Sequence, residues 1–165
     1  MTVARRKAEG GSTPATLALT GLGIPFTPRP YQHDPSTTAF GLEAATALGV
    51  DPSRVFKTLM TEVDGSLVVA VVPVSAQLDL KALAAAVGGK RARLADPAVA
   101  ERKTGYVVGG ISPIGQRTAL PTVLDASATD HETVFVSGGR RGFDLELAPE
   151  GLRTAASAVL APIAR

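Results

Sequence analysis

Residues Val55–Pro73 read VFKTLMTEVDGSLVVAVVP, and the fold follows from this stretch. Two apolar, β-branched runs flank Asp64-Gly65, a dipeptide suited to the positive-φ corner of a tight hairpin. An antiparallel strand pair is therefore expected near the middle of the chain. Alternation along the first strand sets Val55, Lys57 and Leu59 on one face and Phe56, Thr58 and Met60 on the other. A lysine on an otherwise apolar face must snorkel to water, find a partner or look into a ligand cavity.

Working toward the N-terminus, Asp51-Pro52 opens a turn and Phe40 to Leu48 reads as a short helix closed by Gly49. IPFTPRPY carries Pro25, Pro28 and Pro30, and proline cannot donate to a ladder, so this segment is an edge strand or extended chain. Thr13-Pro14 reads as an N-cap with proline at the first helical position. Its helix covers Ala15 to Thr20 and stops at Gly21/Gly23. Residues 1–12, MTVARRKAEGGS, are polar and aperiodic, and are expected to form a disordered arm ahead of one domain spanning 13–165.

Toward the C-terminus, Leu78 to Val87 is an Ala-rich helix ending at Gly88-Gly89, and Lys90 to Leu94 a short strand. Asp96-Pro97 starts a helix that runs to Arg102 or Lys103. Val107 to Leu120 holds too many breakers for a regular element. Strands are expected at Thr122 to Asp125, Glu132 to Ser137 and Phe143 to Leu147, with Gly138 to Gly142 as a tight turn and Pro149 to Leu160 as a closing helix. Hairpins among interspersed helices argue against a purely parallel doubly wound sheet. The expected fold is α/β, a curved mixed β-sheet forming a partly closed barrel with helices packed outside.

Composition removes whole classes of chemistry. The 165 residues include no cysteine, which excludes disulfides, thiolate metal sites and a cysteine nucleophile. The two histidines, His33 and His131, lack any metal-ligand spacing, and no nucleotide-binding glycine motif is present, so no cofactor is expected. The longest apolar run, Leu67 to Val72, stops at Pro73 and is far too short to span a membrane. No secretory h-region appears, so the cytoplasm is the expected location. A net charge of +2 suits contact with a few phosphates, not a duplex held by charge alone.

Three segments have chemical potential of their own. His33 in YQHDP is either a loop histidine paired with Asp34 or one member of a dispersed triad, for which no nucleophile elbow exists. GGISPIGQ (Gly109 to Gln116) can bring backbone N–H groups close to a carbonyl or phosphate, or be a structural turn. SGGRRG (Ser137 to Gly142) suits phosphate recognition, or is a solvated hairpin tip.

Taken together, YQHDP (Tyr31 to Pro35), VFKTL (Val55 to Leu59), TGYVVGGISPIGQ (Thr104 to Gln116) and VSGGRRG (Val136 to Gly142) resemble the YbaK/EbsC family, freestanding relatives of the prolyl-tRNA synthetase editing domain. The resemblance runs from about Thr13 to the C-terminus and is strongest to the Cys-tRNA(Pro) deacylase branch. It implies that family's editing-domain fold and a trans-editing hydrolysis of cysteine misattached to proline tRNA. The implied partners are the aminoacylated acceptor end and prolyl-tRNA synthetase, with no membrane. It sets the essential lysine on Lys57, followed by Thr58, and the loop on Gly109, Gly110, Ile111, Ser112 and Pro113. The substrate pocket falls on Tyr31, Ser137, Gly138 and Asp144. Two other readings stay open: a deacylase that clears another small residue such as alanine with water, and a non-catalytic module binding a tRNA end or a protein. Without a thiol, metal or secure triad in the chain, the nucleophile must come from elsewhere, and a cysteinyl ester carries one beside its own carbonyl.

Overall fold

The computed structural model describes residues 11–165. The arm expected over residues 1–12 lies, but for its last two residues, outside this range. Five α-helices and eight strands are found among the described residues: α1 (Pro14–Leu22), β1 (Thr27–Pro30), α2 (Phe40–Leu48), β2 (Phe56–Val63), β3 (Ser66–Pro73), α3 (Leu80–Ala86), β4 (Ala92–Leu94), α4 (Pro97–Thr104), β5 (Thr122–Asp125), β6 (Val134–Arg140), β7 (Phe143–Leu147), α5 (Pro149–Ala156) and β8 (Ala158–Ala161). None of these helices is long and apolar enough to cross a membrane.

The strands make two sheets, ordered β1-β7-β6 and β4-β2-β3-β5-β8. The larger is mixed, as expected: β2 pairs antiparallel with β3 and β4, while β3–β5 and β5–β8 are parallel. No closed barrel is found among the described residues. The sheets meet where Val55 and Phe135 form a parallel bridge. The central hairpin turns at Asp64 (φ 50°) and Gly65 (φ 85°), the two positive angles its dipeptide suits.

Both faces of β3 are covered, which explains its unbroken apolar run. Val69 and Val71 enter the core between the sheets, with Phe56, Met60, Val136, Phe143 and Leu145. Val68, Ala70 and Val72 face a second core under α3, where Leu83 is fully buried. A third cluster joins Ala44 and Ala45 of α2 to Val55 and Phe135, so α2 seals the line where the sheets meet.

Several boundaries differ from expectation. α3 begins at Leu80, not Leu78, because Asp79 caps it by accepting the Ala82 N–H (3.0 Å). α1 runs through Gly21 and ends at Gly23, which takes the left-handed conformation. β6 continues through Gly138 and Gly139 to Arg140, leaving only Arg141-Gly142 as the turn. The closing helix stops at Ala156, where Ser157 (φ 49°) turns the chain into β8. On β1, Arg29 lies opposite Asp144, and just past its end the Tyr31 N–H donates to the Gly142 carbonyl (2.9 Å). Pairing in an antiparallel ladder alternates, so Pro28 and Pro30 turn their backbone away from β7.

Candidate active site

Two cavities are prominent. The larger, about 650 Å³ between α1 and β1, has no ionisable side chain in its lining. The other, about 530 Å³, is where the sequence-selected residues converge: Tyr31, Lys57, Thr58, Gly109, Ile111, Ser137 and Asp144 all line it. Gly110, Ser112, Pro113 and Gly138 do not.

Strand geometry explains the convergence. β2 and β6 run parallel at the Val55–Phe135 bridge, so two residues further on Lys57 and Ser137 come level. Ser137 faces Asp144 across the β6–β7 ladder. Phe143, Leu145 and Leu147 enter the core between the sheets, which leaves Asp144 on the opposite face of β7. The alternation that singled out Lys57 works the same way, since Phe56 and Met60 are core residues. Lys57 forms no hydrogen bond or ion pair among the described residues.

The polar groups here are short of partners. The Thr58 Oγ1 is buried and has none. Asp144 is 5% exposed, and burial raises its carboxyl pKa to about 7. Tyr31 is pushed up to about 12, first by burial and then by the charge of Asp144, so its phenol remains a donor. The Ser137 hydroxyl accepts the Gly139 N–H (3.1 Å), and no histidine lies in the lining to activate it. Among the described residues, no three His, Asp or Glu side chains converge to hold a metal.

The glycine loop is built by close approach. A Cβ on Gly109 (φ 89°) would stand 2.8 Å from the Phe40 ring and 2.9 Å from Arg141 Nε. On Gly110 it would meet the Arg140 Cα at 2.7 Å. The Gly110 N–H donates to Val107 (2.8 Å), whereas the Gly109 and Ile111 N–H groups donate to nothing among the described residues. Ser112 is fully buried, its hydroxyl accepting the Ile114 N–H (3.3 Å), and it serves the loop's own shape. Gly138 is also structural: its carbonyl accepts the Thr13 hydroxyl (2.5 Å), and a Cβ would stand 2.5 Å from the Phe143 ring.

Two pairings were not legible beforehand. His33 binds Glu43 (2.8 Å), not Asp34, whose carboxylate is taken by the N–H and hydroxyl of Ser36. Arg141 does not stand free for a phosphate. It donates through Nε and Nη2 to the Val108 carbonyl (2.9 and 2.7 Å) and lies 4.9 Å from the Phe40 ring centroid. One guanidinium thus ties α2 to the glycine loop, while Arg140 lies over Phe143 at 4.6 Å. The SGGRRG motif drew attention to both arginines, but the partners of Arg141 come from elements distant in sequence, while Arg140 packs on Phe143 across its own hairpin.

Known proteins share this architecture. The family model described as "Aminoacyl-tRNA editing domain" matches residues 34–155. A protein of Enterococcus faecalis, provisionally named Cys-tRNA(Pro)/Cys-tRNA(Cys) deacylase EbsC, is 43% identical over 109 residues, 66% of each chain. The crystal structure of hypothetical protein APE2540 superposes with a TM-score of 0.83 at 28% identity, covering 93% of this chain and 100% of that one. A crystal structure described, again provisionally, as a trans-editing enzyme for prolyl tRNA synthetase gives a TM-score of 0.81 at 26% identity, covering 93% of this chain and 98% of its own.

Proposed function

The chain belongs to the aminoacyl-tRNA editing domain family, and we propose that within it this cavity clears cysteine misattached to proline tRNA, acting in trans, with the substrate's own thiol as nucleophile. One observation carries the reading. The cavity has a lysine without a partner, a buried carboxyl and two free backbone donors, yet no activated nucleophile among its residues. Similarity to the Enterococcus deacylase and to the trans-editing structure supports the choice of substrate. Synthetase-linked editing also makes prolyl-tRNA synthetase the proposed partner, and a translation factor of this kind belongs in the cytoplasm.

In this reading the cysteine Sγ attacks its own ester carbonyl, forming a carbon–sulfur bond and a four-membered thiolactone. The ester carbon–oxygen bond breaks, and the ribose oxygen leaves carrying a proton. Asp144, near the midpoint of its titration at neutral pH, takes the thiol proton and returns it to that oxygen. The Gly109 and Ile111 N–H groups stabilise the developing oxyanion. Lys57 offers a point charge to the terminal phosphate. Water then opens the thiolactone.

The test is selectivity among Cys-, Ser- and Ala-tRNA(Pro). Discrimination by size alone is worth about 10–200-fold per methylene-sized difference. Preference for Cys over Ser beyond that range, with a thiolactone caught by an added amine, is the expected result. Comparable clearance of Ala-tRNA(Pro) with no trappable thiolactone overturns it in favour of water attack.

A further inference from the structure

The cavity is chemically divided along β2. Lys57 and Thr58 lie at one end, level with Ser137 and Asp144. At the other end the lining is Met60, Leu94, Ala95, Pro97 and Ala100, with no ionisable side chain. Leu94 lies opposite Thr61, four residues along the strand from Lys57, so the two ends stand about 13 Å apart at ~3.3 Å per residue. A small amino acid ester needs only the polar end, whereas about 530 Å³ lies in the range that encloses a drug-sized molecule.

The apolar end is also unusual as surface. β4 is an edge strand of its sheet, a position where a charged side chain is the common protection. Arg93 supplies that charge on β4, and beside it Leu94 stands 60% exposed. Ala95 turns its N–H inward to Met60 (2.9 Å). By the alternation of an antiparallel ladder, Leu94 turns its own N–H and C=O out along the free edge. An apolar side chain beside an open donor and acceptor fits a flat heteroaromatic ring with polar atoms on its rim.

Resting on the deacylase reading, we propose that the Leu94–Pro97 end of the cavity seats the terminal adenine of the aminoacylated strand. Any tRNA ester is carried on the ribose of its last adenosine, so a base must lie one sugar away from the carbonyl held beside Asp144 and the Gly109 and Ile111 N–H groups. Phe40, Leu42 and Val74 also line the cavity, on its α2 side, but the Phe40 ring already carries Arg141 at 4.9 Å, whereas the Leu94–Pro97 end lies open. The purine face packs on Leu94 and Pro97, and its rim reaches the free backbone groups of Leu94.

The experiment compares cysteinyl esters of a short acceptor-stem minihelix ending in adenosine or in cytidine, read as a ratio of kcat/KM within each protein. Wild-type protein is expected to favour adenosine by about tenfold. Leu94→Asp, which sets a charge against the ring, should bring that ratio close to one, and Leu94→Ala should give an intermediate ratio. Thermal unfolding checks that both variants fold. A wild-type protein that cleaves both esters without preference overturns the subsite alone, as does a preference that survives in Leu94→Asp. If the wild type cleaves neither ester, the deacylase reading falls and takes this inference with it.

Discussion

An aspartate whose carboxyl pKa is raised to about 7 stays protonated across a pH range in which an exposed aspartate has already ionised. Below pH ~4 both folded and unfolded chains hold this proton, and Asp144 adds no pH dependence. Between pH ~4 and ~7 the unfolded chain loses it first, so stability falls as pH rises; above ~7 the cost is fully present. At about 1.4 kcal/mol per tenfold change in proton affinity, that cost is at most roughly 4 kcal/mol. Asp144→Asn should therefore be more stable than wild type at pH 8, with the gap closing toward pH 4, in urea titrations across that range. Its deacylation rate should fall throughout. A variant less stable than wild type at pH 8 would mean that the carboxylate has a stabilising partner. Lys57 could be singled out from alternation alone, but the state of Asp144 could not. In Phe143-Asp144-Leu145-Glu146-Leu147 the two acids share a face. Only the tertiary structure gives Arg29 and Arg54 to Glu146 while leaving Asp144 in a cavity without either.

Among the elements, the loop from Gly109 to Pro113 depends on β6 for its position, because Gly110 lies directly on the Arg140 backbone. Gly110→Val should force the loop away, lowering both the unfolding temperature and the deacylation rate, since backbone cannot yield as a flexible side chain would. Ser112→Ala removes one long hydrogen bond outside the cavity. It should cost about 1 kcal/mol of stability and leave kcat/KM within about twofold. A dead but stable Ser112→Ala protein would return the hydroxyl to the reaction. Elements bounded by strong punctuation were legible: α2 matches its predicted span, and the Asp64-Gly65 hairpin is present. Those that deviate do so where tertiary contacts override local signals. Ser157 takes a left-handed turn with no glycine to announce it, so β8 was read as helix. β6 passes through two glycines because Phe143 and Thr13 crowd Gly138 and Gly139 too closely for side chains.

At the scale of the whole molecule, a mixed sheet was legible from hairpins interspersed with helices. Its division into two sheets was not, because their junction rests on Val55 and Phe135, far apart in the chain. That junction makes the cavity, and the same architecture leaves strands at free edges. Along β1, the residues whose backbone faces away from β7 are Pro28 and Pro30. A proline there has no N–H, so this rim presents acceptors without the matching donors. A strand arriving from another molecule finds no ladder to extend, and self-templated assembly is blocked at that edge by covalent structure, independent of salt or pH. Pro28→Thr combined with Pro30→Val should restore the donors while keeping the fold. The doubly substituted protein is expected to precipitate at concentrations where the wild type stays clear by light scattering; equal clarity would show that the prolines do no guarding. The two rings of TPRP thus act as a quarantine, leaving the outer rim of the smaller sheet with no donors at Pro28 and Pro30 for an incoming strand to pair with.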